Sequence, residues 1–181
     1  MTSETFEMIA HGLFTSTLSY CLPVFGNVWF QGEDIRSKSF TKEDCRKIQV
    51  LQNKLARLKT RLPRSTPTET LLQQSNDLSI HQLIALHSLL LTYKIIKSNR
   101  PYYIAKKLKL RVPTEDQVFP QRQAYTLPMS GSLSTTRSGF CYRAAKLFNS
   151  LPLNLRKCCS EKTFKTEVEK WAKENIKIKP P

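Results

Sequence analysis

Glycine is scarce in this sequence: only 5 of 181 residues are glycine, and each stands alone in the chain. A nucleotide-binding loop needs several closely spaced glycines so that backbone N–H groups can approach phosphate. The spacing here excludes such a loop. Low glycine content and long leucine-rich periodic runs also favour helix. We predict a mainly α fold, an irregular helical bundle with a proline-rich connection to a small C-terminal helical module.

Metal-ligand patterns are missing as well. The five cysteines have irregular spacings and form no Cys-x-x-Cys motif, and the three histidines complete no ligand set with them. Structural zinc sites normally use such spacings. We therefore expect no metal and no cofactor, and we interpret the cysteines as thiols of a reducing compartment. His81 and His87 fall in an apolar stretch, where we expect hydrogen-bonded core side chains.

No local pattern indicates a catalytic site. A Ser–His–Asp or Cys–His arrangement is not suggested anywhere. Adjacent acids occur at Glu33-Asp34, Glu43-Asp44 and Glu115-Asp116, in connections or at a helix start. Two-metal phosphoryl transfer needs carboxylates that converge from ordered elements. We therefore expect a protein that is not an enzyme and has no small-molecule substrate.

Residues 8–32 contain no Asp, Glu, Lys or Arg, and that length could span a bilayer. Pro23 and several polar residues interrupt the run, so we favour a buried helix broken near Pro23. A membrane span that stands apart from the bundle is the alternative. Glu4 and Glu7 differ from the basic start of a secretory signal. We expect an intracellular protein of the nucleus or cytoplasm that is not secreted.

Positive charge is concentrated in two windows. The formal net charge is +15; residues 36–64 carry a net +8, and residues 94–111 carry a net +7 without any acid. Clustered cations on a folded chain suit a polyanion, because each Lys or Arg placed on a phosphate releases a condensed counterion. A solvated basic face that keeps the protein soluble is the alternative interpretation.

The clearest helical pattern is TKEDCRKIQVLQNKLARLKTRLP, which starts with an N-cap at Thr41 and ends at Pro63. Apolar residues recur at steps of three and four, which predicts one stripe packed on the core. The adjoining arc of the same helix is basic. The stripe consists of Ile48, Leu51, Leu55, Leu58 and Leu62, and the basic set of Arg46, Lys47, Lys54, Arg57, Arg61 and Arg64.

Three more helices are predicted before the connection. A short capped helix ends in a turn at Asn76-Asp77, and a central helix from Ile80 is apolar on nearly every side. A short helix then begins near Pro101. Tyr102 and Tyr103 either stack on bases beside neighbouring cations or pack onto the core. The basic candidates of this region are Lys97, Arg100, Lys106, Lys107, Lys109 and Arg111.

Residues 112–138 lose all periodicity and contain recurrent prolines, which predicts an extended connection. It would separate a helical module of residues 1–111 from a small module of residues 139–181. In the second module Pro152 must stop a helix, and Ser160 begins the last one. That last helix has an apolar stripe of Phe164, Val168 and Trp171, and the module adds Arg143 and Lys146 as lesser candidates for phosphate contact.

Five segments follow one another in a distinctive order: LFTSTLSYCLPVFGNVW, LQNKLARL, LLLTYKIIKSNRPYYI, TRSGFCYRAAKLFNSLPLNLR and FKTEV. As an ordered set, from about Leu13 to Trp171, they resemble the C-terminal thumb and post-thumb region of a non-LTR (LINE-type, jockey-like) retrotransposon reverse transcriptase. The strongest element is the basic-aromatic helix that ends in Asn-Ser-Leu-Pro. Phe148 and Phe25 stand where that family commonly has Trp.

The resemblance implies a non-catalytic part of a polymerase. The family's catalytic aspartates lie upstream in the palm, in an aromatic-Ala-Asp-Asp motif that this sequence lacks. The thumb grips template RNA and primer duplex through their backbones. We therefore expect RNA or an RNA–DNA duplex as partner, the rest of a reverse transcriptase as a further one, and two basic sets lying side by side. The alternative is a protein-interaction module, or an inert relic of a truncated reading frame, that exposes an apolar face.

Overall fold

The structure is a computed structural model. It describes residues 41–112, 124–129 and 139–176, together with single residues and short pieces between Thr5 and Ile35. This part of the chain is mainly helical, which confirms the predicted fold class. Strands β1 (Val28–Phe30) and β2 (Glu33–Ile35) pair antiparallel. The helices are α1 (Lys42–Thr60), α2 (Thr68–Ser75), α3 (Ile80–Ser98), α4 (Tyr102–Ala105), α5 (Phe140–Ser150), α6 (Leu153–Arg156) and α7 (Glu161–Asn175).

Helix ends follow the local signals in the sequence. The Thr41 hydroxyl accepts a hydrogen bond from the Asp44 N–H over 3.2 Å, and the Asp44 carboxylate accepts one from the Thr41 N–H over 2.9 Å. This reciprocal pair is a capping box, and it satisfies donors that a helix start leaves open. Helix α1 is followed by Arg61 and α2 by Asn76, both in the left-handed conformation. The predicted N-cap at Thr41 and the predicted turn at Asn76 are confirmed, whereas α1 ends before Pro63 and the N-cap of α2, Pro67, forms no side-chain capping bond.

Two compact units divide the chain: residues 1–84 with 175–181, and residues 85–174. The predicted modules of residues 1–111 and 139–181 follow other boundaries. Most of the predicted connection, residues 112–138, lies outside the described residues. The division into those modules therefore stays a prediction, and each compact unit is considered by itself.

In the first unit, α1 packs on its neighbours with a polar face. Gln49 Oε1 accepts from the Ile80 N–H over 2.9 Å, and Gln52 Nε2 donates to the Leu78 carbonyl. Asn53 Nδ2 donates to the Thr68 hydroxyl over 3.0 Å. The first of these bonds satisfies a donor at the start of α3 that helix geometry leaves without a partner inside the helix.

The leucine stripe of α1 packs on the core only in part: Ile48, Leu55 and Leu62 are half-buried, and the prediction is wrong for the other two leucines. Leu51 is 51% exposed and Leu58 is 67% exposed, whereas Gln52 and Ala56 are buried. At 100° per residue, the buried face lies about 130° around the helix from the stripe. The helix is rotated because its amides, rather than its leucines, match the polar groups of α2 and α3.

Part of the N-terminal region packs against α3 in the first unit. Leu22, Pro23 and Gly26 are buried. A Cβ atom on Gly26 would lie 2.7 Å from side-chain carbons of Ile84 and 2.6 Å from the Leu22 carbonyl oxygen. Only glycine permits so close an approach. Most of the run 8–32, including the two residues after Pro23, lies outside the described residues, so the predicted break near Pro23 stays a prediction.

The core of the second unit is built around α3, α5 and α7. The Tyr93 ring stacks on Phe164 with a centroid distance of 4.4 Å, and its hydroxyl donates to the Cys159 carbonyl over 2.6 Å. The predicted stripe of the last helix is buried, and α5 buries Ala144, Leu147 and Phe148. Helix α3 contains fully buried residues along its length, as predicted for a central helix, among them Ile84, Ala85 and Leu89.

Candidate nucleic-acid interface

An exposed group of cations and tyrosines surrounds α4 in the second unit. Tyr102 is 69% exposed and Tyr103 is 68% exposed. The sequence left open whether these rings pack inward, and their exposure answers that question. All six basic candidates of the region are exposed as well. We call this set the α4 cluster: Lys97, Arg100, Tyr102, Tyr103, Lys106, Lys107, Lys109 and Arg111.

The helical turn that continues α4 sets the order of side chains in the cluster. The Lys106 N–H donates to the Tyr102 carbonyl over 2.9 Å, and the Leu108 N–H donates to the Ile104 carbonyl over 3.0 Å. Ala105 and Leu108 are buried and fix the inward side. Residues four apart lie next to each other on a helix. Each tyrosine is therefore followed on the outer side by a lysine, Tyr102 by Lys106 and Tyr103 by Lys107.

No carboxylate of the described residues neutralises the cations of the α4 cluster. In residues 41–112, 124–129 and 139–176, none of its six basic residues forms an ion pair. Lys94, just outside the cluster, pairs with Glu161 over 3.0 Å. The Lys97 ammonium lies 5.7 Å from the centroid of the Tyr93 ring, a cation–π distance. The cluster therefore presents positive charge to solvent that no ion pair within the described ranges compensates.

A short backbone pairing holds the C-terminal end of the cluster. The Arg111 N–H donates to the Thr126 carbonyl over 3.0 Å, and the Tyr125 N–H donates to the Arg111 carbonyl over 2.8 Å. Arg156 Nη1 lies 3.5 Å from the backbone carbonyl oxygens of Ala124 and Tyr125. The Lys157 ammonium lies 4.9 Å from the Tyr125 ring centroid. Residues 124–127 thus support the position of Arg111.

The first unit carries a second set of exposed cations along α1. Lys47, Lys54, Arg61 and Arg64 are exposed and, within the described part of the chain, form no ion pair. Lys47 is close enough to lower the pKa of the Glu43 and Asp44 carboxyls, although Arg46 and Thr41 are the larger causes. We call these four residues the α1 row.

Two other basic candidates of α1 are engaged elsewhere. Arg46 donates two hydrogen bonds to Glu43, over 2.9 and 2.8 Å, and this pairing raises the pKa of Arg46. The Arg57 Nη2 lies 3.4 Å from the carbonyl oxygens of Arg64 and Thr66, so this half-buried side chain holds the loop between α1 and α2. Neither guanidinium is as available to a phosphate as the sequence prediction assumed.

Arg143 is buried, which corrects the prediction that it faces a phosphate. It is 4% exposed on α5, and burial lowers the pKa of its guanidinium. Lys146 is half-buried on the same helix. A cation inside the unit cannot contact a nucleic-acid backbone outside it without moving, so these two residues add little to either exposed set.

The two exposed sets belong to different compact units. The α4 cluster lies in the unit of residues 85–174, and the α1 row lies in the unit that contains residues 1–84. The prediction that one phosphate chain follows both sets side by side stays a prediction. Each set by itself can contact phosphates, and only the α4 cluster combines cations with exposed aromatic rings.

The described residues give little support to a metal site, a disulfide or a membrane span. They contain no group of three or more His, Cys, Asp or Glu side chains that could hold a metal ion. No disulfide joins the cysteines among them. His87 is half-buried, and desolvation, together with nearby Lys165, lowers its pKa. Among the helices that can be described, none is long and apolar enough to cross a bilayer.

Comparisons with known proteins add no relative. No protein-family model, no curated protein and no solved structure is significantly similar to this chain.

Proposed function

We propose that this chain binds nucleic acid without catalysing a reaction, and that it grips the backbone of RNA or of an RNA–DNA duplex. The observation that carries the proposal is the α4 cluster: six exposed cations without ion-pair partners in the described residues, beside two exposed tyrosines. A solvated face kept for solubility needs charge, but it does not need exposed aromatic rings between the charges.

The chemistry of the cluster suits a phosphate chain. Lysine ammonium groups act as compact point charges, and arginine can contact a phosphate through two parallel hydrogen bonds. Each contact releases a condensed counterion, which makes binding favourable and sensitive to salt. Tyrosine offers a stacking surface that accepts any base. Tyr102 and Tyr103 would therefore add contacts to unpaired bases.

The α1 row would supply additional contacts from the first unit. Lys54, Arg61 and Arg64 are exposed at the C-terminal end of α1 and just beyond it, and Lys47 lies near its start. The resemblance to the thumb and post-thumb region of a LINE-type reverse transcriptase supports the same substrate, since that region contacts template and primer backbones. The rest of such a polymerase is a second proposed partner.

The test compares two pairs of substitutions in the second unit. Lys106→Gln with Lys109→Gln removes two positive charges from the α4 cluster. Lys162→Gln with Lys165→Gln removes two from exposed positions on α7. Binding of the full chain to labelled duplex and single-stranded RNA is measured at one low salt concentration. We expect the first pair to weaken binding and the second to leave it nearly unchanged. Equal effects of the two pairs would contradict a localised site.

A second candidate function is favoured by α1. Its exposed Leu51 and Leu58 give the first unit an apolar surface, which is typical of a protein-interaction module. This candidate does not exclude nucleic-acid binding by the α4 cluster, because the two surfaces use different residues.

A further inference from the structure

The exposed leucines of α1 belong to a heptad pattern. Leu51 and Leu58 are seven residues apart and are 51% and 67% exposed. Ile48 and Leu55 are also seven apart and are half-buried on the same helix; Leu62 lies beyond its end. In coiled-coil terms the half-buried residues occupy a positions and the exposed leucines occupy d positions. Such a stripe is built to receive the side chains of a second helix.

The two exposed leucines lie outside the core of their own unit. Helix α1 packs inward with a different face, on which Gln52 and Ala56 are buried. Gln52 falls at an e position, so the e side of the stripe is already occupied by the unit itself. A second helix can approach only from the d and g side.

Cations line that open side at the same interval of seven. Lys47 and Lys54 occupy g positions, Arg61 follows at the left-handed end of α1, and none of the three forms an ion pair in the part of the chain that is described. In paired helices the residues at g contact charged residues at the edge of the partner. Cations along this edge select a partner helix whose facing edge is acidic.

The same charges disfavour a second copy of this chain. A parallel pair places the g edge of each helix against the e edge of the other, and that e edge is already occupied by the unit itself, where Lys59 pairs with Asp77 over 3.0 Å. In an antiparallel pair the g cations would face one another, and like charges in contact are unfavourable. A bare phosphate chain would satisfy the cations, but it would leave Leu51 and Leu58 in water.

We propose that α1 is a docking site for an acidic amphipathic helix of a partner protein. The leucines of that helix pack against Leu51 and Leu58, and its carboxylates pair with Lys47, Lys54 and Arg61. The partner approaches the d and g side of α1, and the contacts inside the first unit remain as they are. This proposal is independent of the α4 cluster and stands whether or not the chain binds nucleic acid.

Two labelled peptides test the proposal, each about four heptads long with leucine at every a and d position. One has glutamate at every e and g position, and its twin has lysine there. Fluorescence anisotropy with the full chain measures binding. We expect the glutamate peptide to bind and the lysine twin not to bind. Failure of the glutamate peptide to bind, or equal binding of both, overturns the proposal.

Two double variants locate the site. Leu51→Ser with Leu58→Ser should weaken binding of the glutamate peptide by about tenfold or more, because two apolar contacts are lost. Val112→Ser with Leu153→Ser changes two other exposed apolar residues and should leave binding unchanged. Both variants alter exposed residues, and circular dichroism checks that they fold. An unchanged affinity in the α1 variant contradicts the assignment.

Two further measurements test whether a membrane surface or a second copy of the chain occupies the stripe instead of a partner helix. Binding to phosphatidylserine vesicles that disappears in the α1 variant would assign the stripe to a membrane surface instead. A dimer in sedimentation that the same variant dissociates would assign it to a second copy. Either result overturns the proposal. Binding of the α1 variant to duplex RNA should equal that of the unaltered chain. Failure of the docking proposal is therefore distinguishable from failure of the nucleic-acid proposal.

Discussion

Asn149 holds Leu127 through both atoms of its side-chain amide. The Leu127 N–H donates to Asn149 Oδ1 over 2.7 Å, and Asn149 Nδ2 donates to the Leu127 carbonyl over 2.9 Å. The amide therefore imitates one rung of a β-ladder at the end of α5. Leu127 is 2% exposed. The Asn of the Asn-Ser-Leu-Pro motif thus fixes the segment that supports Arg111.

Asn149→Ala should destabilise the protein by about 1–3 kcal/mol, because it leaves two buried backbone groups of Leu127 without their partner. Asn149→Asp should also destabilise it, since a carboxylate cannot donate to the Leu127 carbonyl. Urea unfolding measures both effects. The control is Asn154→Ala, at an exposed position on α6, which we expect to be nearly neutral. Equal stabilities of the alanine variants would contradict this role.

Arg61→Gly and Arg61→Ala form a matched pair, because both remove the same charge. Arg61 has a φ of 58° at the end of α1, a conformation that strains any residue with a Cβ atom. Glycine adopts it freely but loses more entropy on folding. We expect the glycine variant to be more stable than the alanine variant by about 0.5–1 kcal/mol. Chemical unfolding measures the stability of both variants. Equal stabilities would argue against a left-handed conformation at the end of α1.

His87 should make the protein sensitive to mild acid. Burial, and secondarily Lys165, lowers its pKa below the ordinary value of 6.5. The unfolded chain then takes up a proton at a higher pH than the folded chain. Folding is therefore favoured above about pH 6.5, and that contribution is lost as the pH falls through the folded pKa. The slope from one such group is at most about 1.4 kcal/mol per pH unit.

Urea unfolding at a series of pH values from about 5 to 7 measures this slope. His87→Gln removes the titrating group and should flatten the dependence, although other groups continue to titrate. A variant with the same slope as the unaltered chain would show that His87 does not contribute.

Tyr102→Leu and Tyr103→Leu should separate stacking from charge. Leucine keeps apolar bulk but has no aromatic face, so binding of single-stranded RNA should weaken by about 1–3 kcal/mol for each base that stacks. Binding of duplex should change little, because its bases are already stacked. The control is Tyr20→Leu, which alters a tyrosine that is 86% exposed outside the cluster. Anisotropy titrations measure each affinity, and equal losses for both nucleic acids would argue against stacking.

Local signals in the sequence predicted the described helices well. Thr41, Asn76 and Pro152 act through their own backbone neighbours, so capping and helix stops depend on a few adjacent residues. The orientation of α1 was not predictable in this way. Gln52 and Asn53 are buried and Gln49 is half-buried. Their amides bond to groups between Thr68 and Ile80, and periodicity of apolar residues does not contain that information.

The candidate interface was predicted in part. Glu43, three residues before Arg46, was a readable signal that this cation is paired. Nothing local indicated that Arg143 is buried or that Arg57 holds a loop, because both positions depend on packing between elements. The exposure of Tyr102 and Tyr103 also depends on packing, because Ala105 and Leu108 are buried and the tyrosines lie on the other side of the α4 turn. The support given by Asn149 to Leu127 had no sequence signal beyond the Asn itself.

The central claim, that the α4 cluster binds a nucleic-acid backbone, is tested most directly by the salt dependence of RNA binding. If all six cations contact phosphates, the logarithm of the binding constant should fall with the logarithm of salt concentration with a slope of about −4 to −5. Lys106→Gln with Lys109→Gln should reduce the steepness by about two. A flat slope, no binding at low salt, or a slope that these substitutions do not change would contradict the claim.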